Sequence, residues 1–181
     1  MTRRAAGSLG PVCLVAALAF GAAQGGRVRL LDWTAPVPAG WTATPSTSGM
    51  RLAQFEVRGA SGAGAAEAVV YYFGPGGGGS IDANIQRWTS QFAGADGGAV
   101  RPVIGRLKAG ALPVTTVELR GTYARGVGTG PSGAALPDHT LLAYVVETPK
   151  GNLTFQLWGP ATTVAAHRAD LDRMVLGLTA G

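Results

Sequence analysis

The segment TLLAYVVET, from Thr140 to Thr148, decides the fold, because it is apolar at consecutive positions instead of alternate ones. Successive side chains of a β-strand point to opposite faces of the sheet, so such a strand needs cover on both faces. The segment from Ala66 to Phe73 has the same character and carries β-branched and aromatic residues that favour a central strand. Two strands of this kind predict an α/β/α sandwich and argue against a sheet with one face in water.

The residues that follow this segment predict a β-hairpin. Pro149-Lys150-Gly151 is a turn sequence, and Gly151 can take the left-handed backbone conformation that such a turn requires. Apolar residues at alternate positions then predict a returning strand from Asn152 to Trp158. The inner face of that strand is expected to hold Leu153, Phe155 and Leu157.

Further strands are predicted on either side of this hairpin in the sequence. Met50 to Arg58 and Val114 to Tyr123 alternate apolar with polar residues, which is typical of strands with one buried face. Shorter or weaker edge strands are predicted at Arg27–Trp33, Trp41–Thr44 and Val100–Leu107.

Two helices are predicted between and after these strands. A glycine-rich loop from Gly74 to Gly79 leads into Ser80, whose hydroxyl can cap a helix, and the apolar spacing from Ile81 to Phe92 is that of an amphipathic helix. Thr162 or Thr163 can cap a final helix. Its buried side is expected to hold Val164, Leu171, Met174, Val175 and Leu178. The sequence therefore predicts an α+β fold, a mostly antiparallel sheet covered by two main helices.

The first residues have the layout of a secretory signal peptide. Arg3 and Arg4 supply a positive start, and Val12 to Ala23 is an uncharged run of aliphatic and small residues. We expect cleavage near Ala23, so that residues 1–23 form the leader and 24–181 a single domain, exported to the periplasm or secreted. Retention of the leader as an anchor stays open, although the run is shorter than the roughly 20 residues that span a membrane.

Composition excludes several classes of function. The chain has 181 residues, of which 46% are hydrophobic and 14% charged, which suits one globular core and not a disordered tail. The net charge of +5 falls to +3 without the two arginines of the leader, and the other basic residues are scattered, so no nucleic-acid partner is expected. No later segment is long and apolar enough to span a membrane. The one cysteine, Cys13, lies in the leader, which excludes a disulfide or a cysteine zinc site in the mature chain.

The sequence offers little catalytic chemistry. His139 and His167 are the only histidines, and neither has the spacing of a metal site; we expect His167 to be a solvated helix residue. The loop from Gly74 to Gly79 lacks the Lys-Ser/Thr ending of a P-loop. The segment from Ala124 to Pro137 is expected to be an exposed loop. We therefore expect no catalytic residue, no metal and no cofactor.

One polar stripe stands out on the first predicted helix. Asn84, Arg87 and Gln91 are three and four residues apart, which places them on one face of a helix, and Trp88 separates this face from the apolar one. A polar stripe beside a buried face often hydrogen-bonds neighbouring backbone, and this structural role is one interpretation. The other is a polar and aromatic patch that contacts a ligand or partner, which Arg51 joins if its strand packs nearby. Trp88 itself is predicted to be core.

Several of these segments carry a resemblance to known proteins. Met50 to Phe55 (MRLAQF), Gly78 to Asn84, Arg87-Trp88, Gln91-Phe92 and Gly159-Pro160 resemble a group of uncharacterised exported bacterial proteins. The order of elements and the closing helix also resemble the PsbP/Mog1 fold. That resemblance implies a non-catalytic accessory protein that binds a larger protein or a membrane complex.

Together these observations predict a non-catalytic exported binding or accessory module that acts on an envelope partner or a small ligand. A structural envelope-associated protein without a discrete ligand is the first alternative, and a hydrolase is the second.

Overall fold

The computed structural model describes residues 26–46, 48–59, 62–124 and 135–181, which form eleven strands and three short helices. The strands are β1 Arg27–Leu30, β2 Trp33–Pro36, β3 Trp41–Ala43, β4 Arg51–Val57, β5 Ala66–Tyr72, β6 Phe92–Ala93, β7 Val103–Ala109, β8 Leu112–Tyr123, β9 Leu136–Thr148, β10 Gly151–Pro160 and β11 Thr179–Ala180. The helices are α1 Ile81–Thr89, α2 Ala161–Ala166 and α3 Arg168–Leu176.

Eight of these strands form one sheet in the order β3-β4-β5-β10-β9-β8-β6, with β7 paired beside β6 on the outer edge of β8. A small second sheet contains β1, β2 and β11. Every strand pairing within the described residues is antiparallel. The prediction of an α+β fold with a mostly antiparallel sheet is therefore confirmed.

The hairpin of β9 and β10 lies near the centre of the large sheet. Gly151 pairs with Thr148 across the turn and has a φ of +113°, a conformation that glycine adopts without a Cβ clash. The predicted inner face of β10 is confirmed, because all three of its side chains are fully buried: Leu153, Phe155 and Leu157.

The buried side chains form two clusters, and the alternation along β9 explains why. Leu142, Tyr144 and Val146 belong to the larger cluster, which also holds the large buried apolar side chains of α2 and α3. Leu141, Ala143 and Val145 point the other way, into the cluster that contains Ile85, Trp88 and Phe92. Both faces of this strand are thus covered, as its sequence predicts.

The helices differ from the prediction in length and number. The first ends at Thr89, and Phe92 lies in β6. The last helix is interrupted at His167, where φ is −106° and ψ is 9°, so α2 and α3 are separate. Because the sheet predominates over three short helices, a sandwich covered by two main helices stays a prediction.

The predicted cap of the final helix is wrong. Pro160 occupies the N-cap position of α2 and makes no side-chain cap hydrogen bond, while Thr162 and Thr163 lie inside the helix. The hydroxyl of Thr163 instead donates to the carbonyl of Gly64 at 2.8 Å, which ties α2 to the segment before β5.

His167 is also not the solvated residue that was predicted. Its side chain is 22% exposed, with Nδ1 at 2.6 Å from Asp170 Oδ2 and Nε2 at 3.1 Å from the carbonyl oxygen of Arg58. These contacts tie the break between α2 and α3 to the first turn of α3 and to the end of β4, so the histidine has a structural role.

The first predicted strand and the loop before β9 differ from their predicted bounds. The first predicted strand is a hairpin, because the backbone turns at Leu31, where φ is +60°. Leu136 and Pro137 belong to β9 and not to the predicted loop, and most of that loop, 125–134, lies outside the described residues.

The predicted leader, 1–23, also lies outside the described residues. No helix in the described ranges is long and apolar enough to cross a membrane.

Candidate functional site

A cleft lies between α1 and the sheet face on which α1 packs. The helix contacts β8 and covers residues of β8 and β9, whereas side chains of β4, β5 and β10 on the same face extend beyond it. The resulting cavity has a volume of about 550 Å³. Its lining residues are Arg51, Glu67, Tyr71, Phe73, Asn84, Arg87, Trp88, Gln91, Tyr123, Leu141, Thr154, Gln156 and Trp158.

All five residues that the sequence singled out line this one cavity. Asn84, Arg87 and Trp88 come from α1, Gln91 follows the helix, and Arg51 reaches the cavity from the start of β4. The structure thus places Arg51 beside the helical stripe. A binding role for these residues stays a prediction.

The helix is fixed at its start by the predicted cap. The amide of Ala83 donates to the hydroxyl of Ser80 at 3.1 Å, which satisfies one of the unpaired N–H groups of the first turn. The glycine-rich loop before it turns sharply against Phe73. Gly78 has a φ of +81°, and a Cβ there would lie 2.8 Å from the Phe73 ring, so the loop requires glycine at this position.

Asn84 joins this loop to the helix and also positions Arg87. Its Nδ2 donates to the carbonyls of Gly78 at 2.7 Å and Ser80 at 2.9 Å, while its Oδ1 accepts from Arg87 Nη2. The two bonds from Nδ2 to backbone carbonyls agree with a structural role for Asn84, and they use both N–H groups of the amide. The contact with Arg87 orients the guanidinium at the rim of the cleft.

A polar cluster around Glu67 forms part of the cleft wall. Glu67 Oε1 accepts from Arg51 Nη1 at 3.1 Å and from Gln54 Nε2 at 2.8 Å, and Oε2 accepts from the Trp158 indole at 2.7 Å. The side chains of Arg51 and Glu67 are only 24% and 23% exposed. Because Glu67 balances Arg51, Arg87 is the cation of the cleft that has no carboxylate partner among the described residues.

Aromatic rings form the rest of the wall. The Arg51 guanidinium lies 5.4 Å from the centre of the Tyr71 ring, within the range of a cation–π contact. Tyr71 stacks on Phe73 with centroids 5.9 Å apart and planes 8° apart. Tyr123 lies 5.4 Å from Trp158. A ligand in the cleft therefore meets ring surfaces on several sides.

Several polar groups of the cleft remain available to a ligand. The amides of Gln91 and Gln156 and the hydroxyl of Thr154 make no hydrogen bond to the described protein, although Thr154 is only 8% exposed. Amides and hydroxyls both donate and accept, so these groups suit a ligand that does the same.

Sequence reasoning missed Glu67, Trp158, Gln156 and the aromatic wall. The sequence does contain a signal for Glu67, because it is the one charged residue in the otherwise apolar segment from Ala66 to Phe73. A charge on a central strand needs a partner, so this position indicates a polar contact on the sheet. Trp158 lies directly opposite Glu67 in the pairing of β10 with β5, a relation that no local pattern reveals.

The cleft has few of the groups that catalysis or metal binding requires. Glu67 is the one carboxylate among its lining residues, and both of its oxygens already accept hydrogen bonds. Across the described ranges, no group of three His, Cys, Asp or Glu residues is arranged to hold a metal ion. The site offers ring surface, unpaired amides and, besides the paired Arg51, one cation without a carboxylate partner among the described residues; groups of these kinds line small-molecule sites.

Comparison with solved structures identifies the fold. Cyanobacterial PsbP (CyanoP) from Synechocystis is 15% identical, with a TM-score of 0.51 over 97% of this chain and 98% of that one. A protein of unknown function from Pseudomonas aeruginosa is 13% identical, also with a TM-score of 0.51, over 87% of this chain and 98% of that one. No protein-family model and no curated protein matches the chain. The likeness concerns the fold, and the chain has the PsbP-like fold that its sequence resembles.

Proposed function

We propose that this PsbP-like chain is a non-catalytic binding module and that its ligand occupies the cleft between α1 and the sheet. The ligand is a small polar molecule, or an exposed group of an envelope partner, with a ring body and one anionic group. The ring lies against the aromatic wall, and the anion pairs with Arg87.

The observation that carries this proposal is the convergence of unpaired polar groups on an aromatic cavity. Arg87 has no carboxylate partner among the described residues, and the amides of Gln91 and Gln156 are free of protein hydrogen bonds there. A volume of about 550 Å³ is in the range of small-molecule sites. In contrast, the amide of Asn84 and the carboxylate of Glu67 already hydrogen-bond to other groups of the protein.

A binding role agrees better with this chemistry than hydrolysis does. Acid–base catalysis needs a proton donor or acceptor within reach of the substrate. The single carboxylate of the cleft is bound by three donors, and His139 lies outside the lining of this cavity. The non-catalytic function is therefore part of the proposal. A layered arrangement, with helices on both faces, would supply the rigid support that a preformed site requires.

Export is the second part of the proposal. The charged start and the short apolar run that ends at Ala23 favour a cleaved leader, which would deliver the domain to the periplasm or the medium. The partner is then an envelope protein or a small molecule of that compartment.

A thermal-shift scan of the mature domain, residues 24–181, tests the binding site. The probes are ring carboxylates: glucuronate, galacturonate, N-acetylmuramate, shikimate and benzoate. A ligand at one hundred times its Kd stabilises by about 2.7 kcal/mol. Since 1 kcal/mol moves the midpoint by about 2–4 °C at this size, the expected rise is about 5–11 °C.

Two variants complete this experiment. Arg87→Ala should abolish the rise, whereas Arg106→Ala, which removes an exposed arginine of β7 away from the cleft, should leave it unchanged. If no probe raises the midpoint, or if both variants respond alike, the proposed site is wrong.

A further inference from the structure

A second cavity adjoins the cleft and shares two of its lining residues. It has a volume of about 550 Å³, and Glu67 and Trp158 line both cavities. The second cavity lies beside the ends of β4, β9 and β10, where Gln54, His139 and Pro160 contribute to its wall. Glu67 and Trp158 therefore form the boundary that the two spaces share.

A row of rings connects the two cavities. The ring centroid of Tyr123 is 5.4 Å from that of Trp158, and the centroid of Trp158 is 6.4 Å from that of His139. Tyr123 lines the first cavity, His139 lines the second, and Trp158 lines both. Ring surface is therefore present in both cavities, which together we call the groove.

Unpaired polar groups accompany the rings in both cavities. The first has the two glutamine amides and the hydroxyl of Thr154 described above. In the second, the Oγ1 of Thr44 is buried and has no hydrogen-bond partner within the described residues. A buried hydroxyl without a partner costs free energy, and this oxygen is enclosed by the wall instead of exposed to the cavity.

We propose that the ligand is an acidic oligosaccharide that spans both cavities across Trp158, with a carboxylate of one sugar paired to Arg87. This inference rests on the proposed binding function and adds the class and the length of the ligand. The C–H faces of sugar rings lie on the aromatic row, and their hydroxyls reach the unpaired amides and hydroxyls.

Peptide is the less suitable chain for this groove. An extended peptide binds a sheet by pairing with an open strand edge. The groove crosses β5 and β10, which lie inside the sheet: β5 pairs with β4 and β10, and β10 pairs with β5 and β9. Their backbone groups are already used, so the groove offers side chains only.

Lipid and nucleic acid agree less well with the charges and polar groups of the groove. An alkyl chain over the ion pair of Arg51 and Glu67 would remove water from half-buried charges without replacing it. Nucleic acid brings one phosphate for each nucleotide and needs several cations. Arg87 is the one cation of the first cavity without a carboxylate partner among the described residues, which matches a chain with a single carboxylate at that place.

Calorimetric titration with oligosaccharides of defined length tests this inference on the mature domain. The probes are glucuronate and hyaluronan oligosaccharides of up to six units, in which every second sugar carries a carboxylate, with neutral cello-oligosaccharides and an acidic tetrapeptide for comparison. We expect the hyaluronan tetrasaccharide to bind about tenfold more tightly, or better, than the single sugar. The neutral series should bind more weakly, and Arg87→Ala should remove the preference for the acidic one.

His139→Ala tests whether the second cavity takes part in binding the longer oligosaccharides. His139 lines the second cavity only, so the variant should lose the gain with length and keep the affinity for the single sugar. Gln156→Ala, in the first cavity, should weaken every length alike and remains informative if His139→Ala does not fold.

Each result has one interpretation. Binding of a single acidic sugar with no gain at longer lengths would overturn the inference and leave the proposed function intact. Binding of the tetrapeptide without any oligosaccharide would overturn the saccharide class. A ring carboxylate other than a sugar that binds without any oligosaccharide would do the same.

Discussion

Replacing Trp88 with alanine tests the packing that holds α1 over the sheet. The side chain is only 4% exposed and packs with Ile85, Phe92 and Leu141 in the smaller hydrophobic cluster. Truncation of a buried aromatic residue to alanine costs about 3–5 kcal/mol, which combines lost burial with the cavity left behind. At about 2–4 °C per kcal/mol, the midpoint of thermal unfolding should fall by about 6–20 °C.

The measurement is thermal unfolding followed by far-ultraviolet circular dichroism, because tryptophan fluorescence itself changes in the variant. Gln86→Ala is the matched control: it lies on the same helix, is exposed, and should change stability by no more than about 0.5 kcal/mol. Trp88→Phe should give an intermediate midpoint, since a smaller ring still fills part of the site. A midpoint for Trp88→Ala equal to that of Gln86→Ala would refute the buried position of Trp88.

Three further predictions concern the cap, a buried tyrosine and the leader. Ser80→Ala removes the acceptor of the first turn and should lower stability by about 1 kcal/mol in urea unfolding, while a loss below experimental error would contradict the capping bond. Burial and a hydrogen bond to Asp172 raise the pKa of Tyr144, so the neutral phenol contributes stability below pH 10 that is lost as the pH rises further. In denaturant titrations above pH 10, the free energy of unfolding should therefore decline less steeply for Tyr144→Phe than for the unmodified protein, and equal slopes would contradict this. N-terminal sequencing of exported material should begin near Ala23, whereas an intact Met1 on protein that only detergent extracts would indicate an anchor.

The elements of this fold with a strong local pattern were predictable from sequence. The strand from Thr140 to Thr148 and its hairpin carry a burial pattern and a turn glycine that act within a few residues. The helix cap at Ser80 is equally local. The break at His167 was not predictable, because the contacts that accompany it come from Asp170 and, more than one hundred residues away, from Arg58.

Some residues of the candidate site were likewise predictable from local patterns, and others were not. The proximity of Asn84 and Arg87 follows from helical spacing, whereas Gln91 lies beyond the end of α1 at Thr89. The proximity of Arg51 follows only if the strand order is known. Glu67 and Trp158 are 91 residues apart, and their hydrogen bond depends on the register between β5 and β10. Register is set by packing over the whole sheet, so the polar wall of the cleft could not be predicted from local sequence patterns.

The tryptophans provide the most direct test that the cleft is the binding site. The chain has four, of which Trp88 and Trp158 line the cleft, while Trp41 belongs to the opposite cluster and Trp33 packs against that cluster. Their indole N–H signals can be followed in nitrogen–proton correlation spectra of the labelled mature domain during titration with the most stabilising ring carboxylate. We expect saturable shifts for Trp88 and Trp158, with the signals of Trp33 and Trp41 unchanged. Shifts confined to Trp33 and Trp41, or no shift at all, would contradict binding in the cleft.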